Sequence, residues 1–218
     1  MNGPGPDHPV VALCRELVRI PSPSGGEALL ATFVAERMEA AGLRVEVDRF
    51  GSVLGAKEGR LPGPTLLLDA HLDTVPAADP AAWKHDPFGA AVEDGKLYGL
   101  GAADTKGSLA AMLLAAEALD AFAGTLLVSA SVGEEDLTAA ALSHVLDRHP
   151  ADLVLVGEPT SRKLGVAQKG RAGLVVEARG RSAHSSRPER GENAVYRMME
   201  AVGRIRAVVS PLGYKGEW

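Results

Sequence analysis

Apolar residues recur at helical spacing over residues 11–20, and the pattern stops at Pro21, whose ring disfavours helical backbone in the residue before it. A second amphipathic stretch, residues 27–41, closes at Gly42, a residue suited to the left-handed turn that ends helices. Between them, residues 21–26 read as a loop. Val45 and Val47 alternate with charged neighbours within residues 43–50, which predicts a half-buried strand. Three later runs, residues 65–70, 125–132 and 153–156, are apolar runs of strand length. Uninterrupted runs predict strands covered on both faces, as in a parallel sheet clad by helices. Helical patterns over residues 105–121 and 138–148 separate them. The alternation predicts an α/β fold, a mainly parallel sheet flanked by helices. Beyond Glu158 the pattern changes: residues 174–178 predict a short strand and residues 191–209 a helix, in a stretch richer in Arg. A boundary near residues 165–170 gives two expected domains, residues 1–168 and 169–218.

Composition fits that reading. Of 218 residues, 46% are hydrophobic and 23% charged, as in ordinary globular chains. The net charge of −5 gives no general reason to bind nucleic acid or an anionic membrane. Cys14 is the single cysteine, which excludes an intrachain disulfide and a Cys-based zinc finger. The longest apolar stretch, residues 109–119, is interrupted by Glu117 and is too short to span a bilayer. Residues 1–10 lack the apolar segment of a secretory signal. A soluble, cytoplasmic protein is the expectation.

Ionisable residues stand just past the ends of the three apolar runs. His71 and Asp73 follow the first, Glu134 and Glu135 the second, and Glu158 the third. Ligands of open α/β sheets bind at the carboxyl ends of the strands, so neighbouring parallel strands would bring these groups to one crevice. Asp104, at the start of the next helical pattern, either caps that helix or joins the cluster. Carboxylates crowded in a low-dielectric crevice repel one another, and a divalent metal relieves the repulsion. Imidazole and carboxylate without thiolate suit zinc, manganese, cobalt or iron. In extended backbone the side chains of His71 and Asp73 point the same way, so Asp73 is placed to accept the second imidazole N–H. Neighbours Glu134 and Glu135 point to different sides, so one can bind metal while the other moves protons for hydrolysis.

Six ordered stretches then carry a resemblance. They are Asp69-Ala-His-Leu-Asp-Thr-Val75, Trp83-Lys-His-Asp-Pro-Phe88, and the Gly95–Gly107 segment ending in Ala-Asp-Thr-Lys-Gly. Gly133-Glu-Glu-Asp136, Gly157-Glu-Pro-Thr160 and Gly180-Arg-Ser-Ala-His-Ser-Ser-Arg-Pro188 follow. Together they resemble the di-zinc metallopeptidase family of aminoacylase, acetylornithine deacetylase, succinyl-diaminopimelate desuccinylase and carboxypeptidase G. The resemblance implies a zinc-peptidase-like catalytic domain and the start of a small α+β lid domain through which such proteins dimerise. It implies that His71 and Glu158 hold the first metal, that Asp104 bridges two metals, and that Glu135 holds the second. Glu134 is implied as general base and Asp73 as a support for His71. His184 is implied as the lid histidine that stabilises the oxyanion of the reaction. Two Zn2+ ions, with Co2+ or Mn2+ as substitutes, are the implied cofactors.

In that family a further histidine completes the second metal site, but no histidine follows His184 here. The second site is therefore expected to be incomplete, and the chain to be a C-terminally truncated member. The implied activity is metal-dependent hydrolysis of the amide bond of an N-acyl amino acid, as in acetylornithine deacetylase, or of a small peptide. The alternative is a non-catalytic fragment that binds one metal or pairs with a longer relative.

Overall fold

The computed structural model of the chain describes residues 5, 7–137, 140–167 and 174–209. They form two compact units, Met1–Leu164 and Gly165–Trp218. The expected boundary at residues 168 and 169 lies outside the described residues.

Five strands make the sheet of the first unit: β1 (Arg44–Val47), β2 (Val53–Glu58), β3 (Leu61–His71), β6 (Ala123–Ser131) and β7 (Leu153–Val156). A separate hairpin holds β4 (Ala91–Glu93) and β5 (Lys96–Tyr98). The sheet order is β1-β2-β6-β3-β7. β3 runs parallel to both β6 and β7, as the apolar runs predict. β1 and β2 join antiparallel at the other side, so the sheet is mixed, with its parallel half around β3.

The helices are α1 (Pro9–Val18), α2 (Ala28–Ala40), α3 (Gly107–Ala118), α4 (Glu134–Leu137) and α5 (Ala140–Arg148). The expected start, at Thr138, of the helical pattern over residues 138–148 lies outside the described residues. Strand alternation sorts the core into two layers. Leu126, Val128 and Ala130 of β6 pack with α1, α2 and α3, while Leu127 faces the other way with Leu54, Leu67 and Val145 of α5. Helices thus cover both faces, the arrangement that parallel strands require.

Three expectations change. β2 is a strand that residues 53–58 do not announce. β7 forms as predicted but is an edge strand, and all four of its residues are exposed. It has a strand partner on one side only. The helix expected from residue 105 begins at Gly107, after a wide turn, Ala102–Lys106, in which Asp104 and Thr105 leave helical backbone angles.

The second unit contains a short turn, Pro188–Arg190, and the helix α6 (Ala194–Val209). Arg181 and Glu192 exchange backbone hydrogen bonds of 3.0 and 2.9 Å. Residues 174–178, expected as a strand, pair with nothing among the described residues. A strand is stable only against a neighbour that takes its N–H and C=O groups.

Candidate metal centre

The carboxyl ends of β6, β3 and β7 lie side by side. His71 pairs with Ser131 across the β3–β6 ladder, and Asp69 with Val156 across β3–β7. The chain leaves these strands directly into Glu134–Glu135 and Glu158. Gly157 still bonds back to β3, its N–H donating to the Asp69 carbonyl at 2.8 Å.

His71 is buried, and its ring is fixed by its two neighbours. Nδ1 lies 2.9 Å from the Asp73 backbone carbonyl. A carbonyl only accepts, so Nδ1 carries the hydrogen and donates it. Nε2, the atom left for a ligand, lies 3.0 Å from Asp104 Oδ1. Burial disfavours the imidazolium, yet the bonds to Asp73 and Asp104 outweigh it and push the ring up to about 10.

Asp104 comes from the turn before α3. Gly101 opens that turn at φ +74°, and a Cβ there would stand 2.5 Å from Thr74 Cγ2. Asp104 bonds His71, and α3 starts without a side-chain cap, so of the two roles open in sequence the cluster is the one it fills. Thr105 anchors the turn, its hydroxyl donating to the His71 carbonyl at 3.1 Å.

Ligand atoms of His71, Asp104 and Glu135 all lie within 4.8 Å of one another. Two ligands on one zinc, at bonds of about 2 Å each, stand about 3–4 Å apart, so small side-chain shifts bring these donors to bonding distance of bound metal. Burial, then the charges of Asp104 and Glu134, push the Glu135 carboxyl up. Burial and Asp104 push Glu158 up likewise, so Glu158 shares the field of the cluster without belonging to the close triplet. Carboxylates held this near one another, beside an oriented imidazole, are a donor set that fits a divalent metal.

Asp73 serves the site differently from the simple reading. Its carboxylate Oδ1 is 3.5 Å from His71 Nδ1, and the closer contact is the backbone carbonyl. The carboxylate instead accepts the N–H groups of Glu134 and Glu135, each at 3.0 Å, and the Ser24 hydroxyl at 2.7 Å. Burial opposes its charge, but the His71 ring and these three donors hold its carboxyl well below the usual carboxylate range. Asp73 thus ties the two adjacent glutamates to the loop that carries His71.

Glu134 is half-buried at the start of α4, next to Glu135. His184 belongs to the second unit and is exposed. Its Nδ1 accepts the Ser186 N–H at 3.2 Å and lies 2.8 Å from the Ser186 hydroxyl. Nε2 therefore carries the hydrogen and is a donor. Sequence reasoning passed over Ser24, Glu27 and Asp69. Asp69 is buried beside His71 on β3 with Oδ1 unpartnered, and burial pushes its carboxyl up to about 6. The alternation of Asp69 and His71 on one strand face is the signal that could have found it.

Comparison with known proteins agrees with this fold. Residues 67–215 match the model of peptidase family M20/M25/M40, and the chain belongs to that family. Protein YgeY of Escherichia coli K12, itself described as uncharacterized, is 33% identical over 210 residues, covering 92% of this chain and 51% of its own. The chain spans about half the length of the curated relatives it matches. Among solved structures, an M20 family metallo-carboxypeptidase, Sso-CP2 from Sulfolobus solfataricus, aligns with TM-score 0.62 and 24% identity over 69% of this chain and 37% of its own. The Bacillus subtilis YXEP protein, described as a dinuclear metal-binding peptidase of the M20 family, aligns with TM-score 0.52 and 20% identity over 67% of this chain and 41% of its own. Among the described residues no helix is long and apolar enough to cross a membrane.

Proposed function

We propose that this chain carries the metal-binding part of a metal-dependent amidohydrolase. Its substrate is an N-acyl amino acid, in the manner of acetylornithine deacetylase, or a small peptide. The observation that carries the reading is the convergence of His71, Asp104 and Glu135 within 4.8 Å, with Glu134 adjacent. In this reading His71 and Glu158 hold one ion, Asp104 is shared, and Glu135 holds a second. The dinuclear metal-binding description of the Bacillus subtilis relative supports two metal ions, and the imidazole and carboxylate donors suit zinc. When bound, the metal supplies Lewis-acid activation of water and of the amide carbonyl. Glu134 takes the proton of the attacking water and returns it to the leaving amine. The Nε2–H of His184 is a donor suited to the oxyanion of the reaction. Asp73 keeps Glu134 and Glu135 in place.

A cytoplasmic setting is part of this reading, supported by the single, buried Cys14. So is a homodimer through the second unit, supported by the exposed apolar stripe Val195, Met199, Val202 and Ile205 on α6.

Two measurements test the proposal. Glu134→Gln keeps the size of the side chain and removes the base, so it should retain bound metal and lose about 10²–10⁴-fold in hydrolysis of an N-acyl amino acid panel. Unchanged turnover in the variant would remove Glu134 from its role. In elemental analysis of zinc-loaded chain, about two metals per chain would mean that another residue or chain completes the second site, and the hydrolase reading stands. About one favours the second reading, a fragment that pairs with a longer relative, for which the single imidazole of the His71 cluster speaks.

A further inference from the structure

The loop between α1 and α2 reads Ser22-Pro-Ser-Gly-Gly-Glu27, and it is laced along the chain just after His71. The Ser22 hydroxyl donates to the Leu72 carbonyl at 2.8 Å, and the Thr74 N–H donates to the Ser22 carbonyl at 2.9 Å. Pro23 and Thr74 form a parallel bridge. Two side chains then reach past this seam. Ser24 donates its hydroxyl to Asp73 Oδ2 at 2.7 Å. Glu27, only 7% exposed, accepts the Gly133 N–H on Oε1 at 3.2 Å.

We infer that Ser24 and Glu27 are positioning residues for the metal centre, gripping the Gly133–Glu135 turn from two sides. The inference rests on the metal-centre reading above. Glu27 holds the turn directly at Gly133, and Ser24 holds it through Asp73, which accepts the N–H groups of Glu134 and Glu135. The turn depends on such help because α4 is only four residues long. Its first amides have no partner within the helix, so side chains must satisfy them. The seam itself is made by Ser22, Pro23 and Thr74. Removing the Ser24 hydroxyl therefore leaves the loop seated and frees only the Asp73 carboxylate. The consequence falls on where the Glu135 carboxylate stands relative to His71 and Asp104.

Titration of the metal-free 218-residue chain with Co2+, followed by visible absorption, reads both affinity and ligand geometry. Ser24→Ala and Glu27→Ala should each bind Co2+ about tenfold more weakly, with an altered band, as is typical when a support of a metal ligand is lost. Ser24→Thr keeps the hydroxyl and Glu27→Gln keeps the acceptor, so both should restore the parent affinity and band. Thermal melting without metal should leave Ser24→Ala at the parent midpoint. Parent affinity and spectrum in both alanine variants would overturn the positioning role and leave the metal centre standing. A threonine variant as weak as the alanine variant would also overturn it, because the hydroxyl would then not be the cause. A parent chain without any Co2+ band would remove the metal centre, and this inference with it.

Discussion

A carbonyl oxygen cannot donate, and that fact orients His71 and leaves Nε2 facing Asp104. The same logic predicts the effect of Asp73→Asn, which changes one oxygen into an NH2 group. Both oxygens of Asp73 face backbone N–H donors, so either orientation of the amide sets donor against donor. Metal affinity should fall by about 10–100-fold, read by competition with a chelating dye. Cys14 gives a second prediction at this scale. It is buried, and burial pushes its thiol up to about 11, so at pH 8 a disulfide reagent should leave it intact in the native chain and modify it fully in denaturant. Fast labelling of native protein would contradict the packing of α1. The candidate ligands His71, Asp104 and Glu135 were legible in the sequence because each follows a recognisable apolar run or opens a helical one. Ser24 and Glu27 were not, since their role depends on which distant loop lies beside them.

In the first unit, elements were legible where one pattern ran without interruption, whereas the pattern over residues 174–178 gave no strand. α1, α2 and the parallel strands β3, β6 and β7 fall within a few residues of their expected places. β2 escaped notice because Gly55 interrupts its apolar run and Lys57 and Glu58 end it. Packing explains the glycine: a Cβ at residue 55 would stand 2.8 Å from Met38 Sδ and 2.7 Å from Leu43 Cδ2. The missing side chain lets α2 lie directly on the sheet. Gly55→Val raises strand propensity yet should destabilise the fold by about 1–3 kcal/mol through overpacking, measured by urea unfolding. A neutral or stabilising result would mean that α2 moves aside freely. The edge position of β7 could not be read from four apolar residues, because the same run serves an inner strand and an edge strand alike.

On the scale of the whole molecule, the first unit is a mixed sheet with helices on both faces and its ionisable groups gathered at one end. The second unit presents an exposed apolar stripe on α6. The candidate ligands come from positions 71, 104, 135 and 158, so they span more than half of the first unit's chain. An ion held by them is also a clasp: it joins segments that an unfolded chain would keep far apart, and the unfolded chain offers no comparable site. Metal should therefore act as a stabiliser by mass action, worth about 2.7 kcal/mol when present at a hundredfold excess over its dissociation constant. The melting temperature should climb with added Zn2+ and fall again with a chelator, and the rise should shrink in His71→Ala. Equal melting curves with and without metal would show that the clasp does not close. If it does close, the availability of metal ions in the cell sets how long the fold lasts.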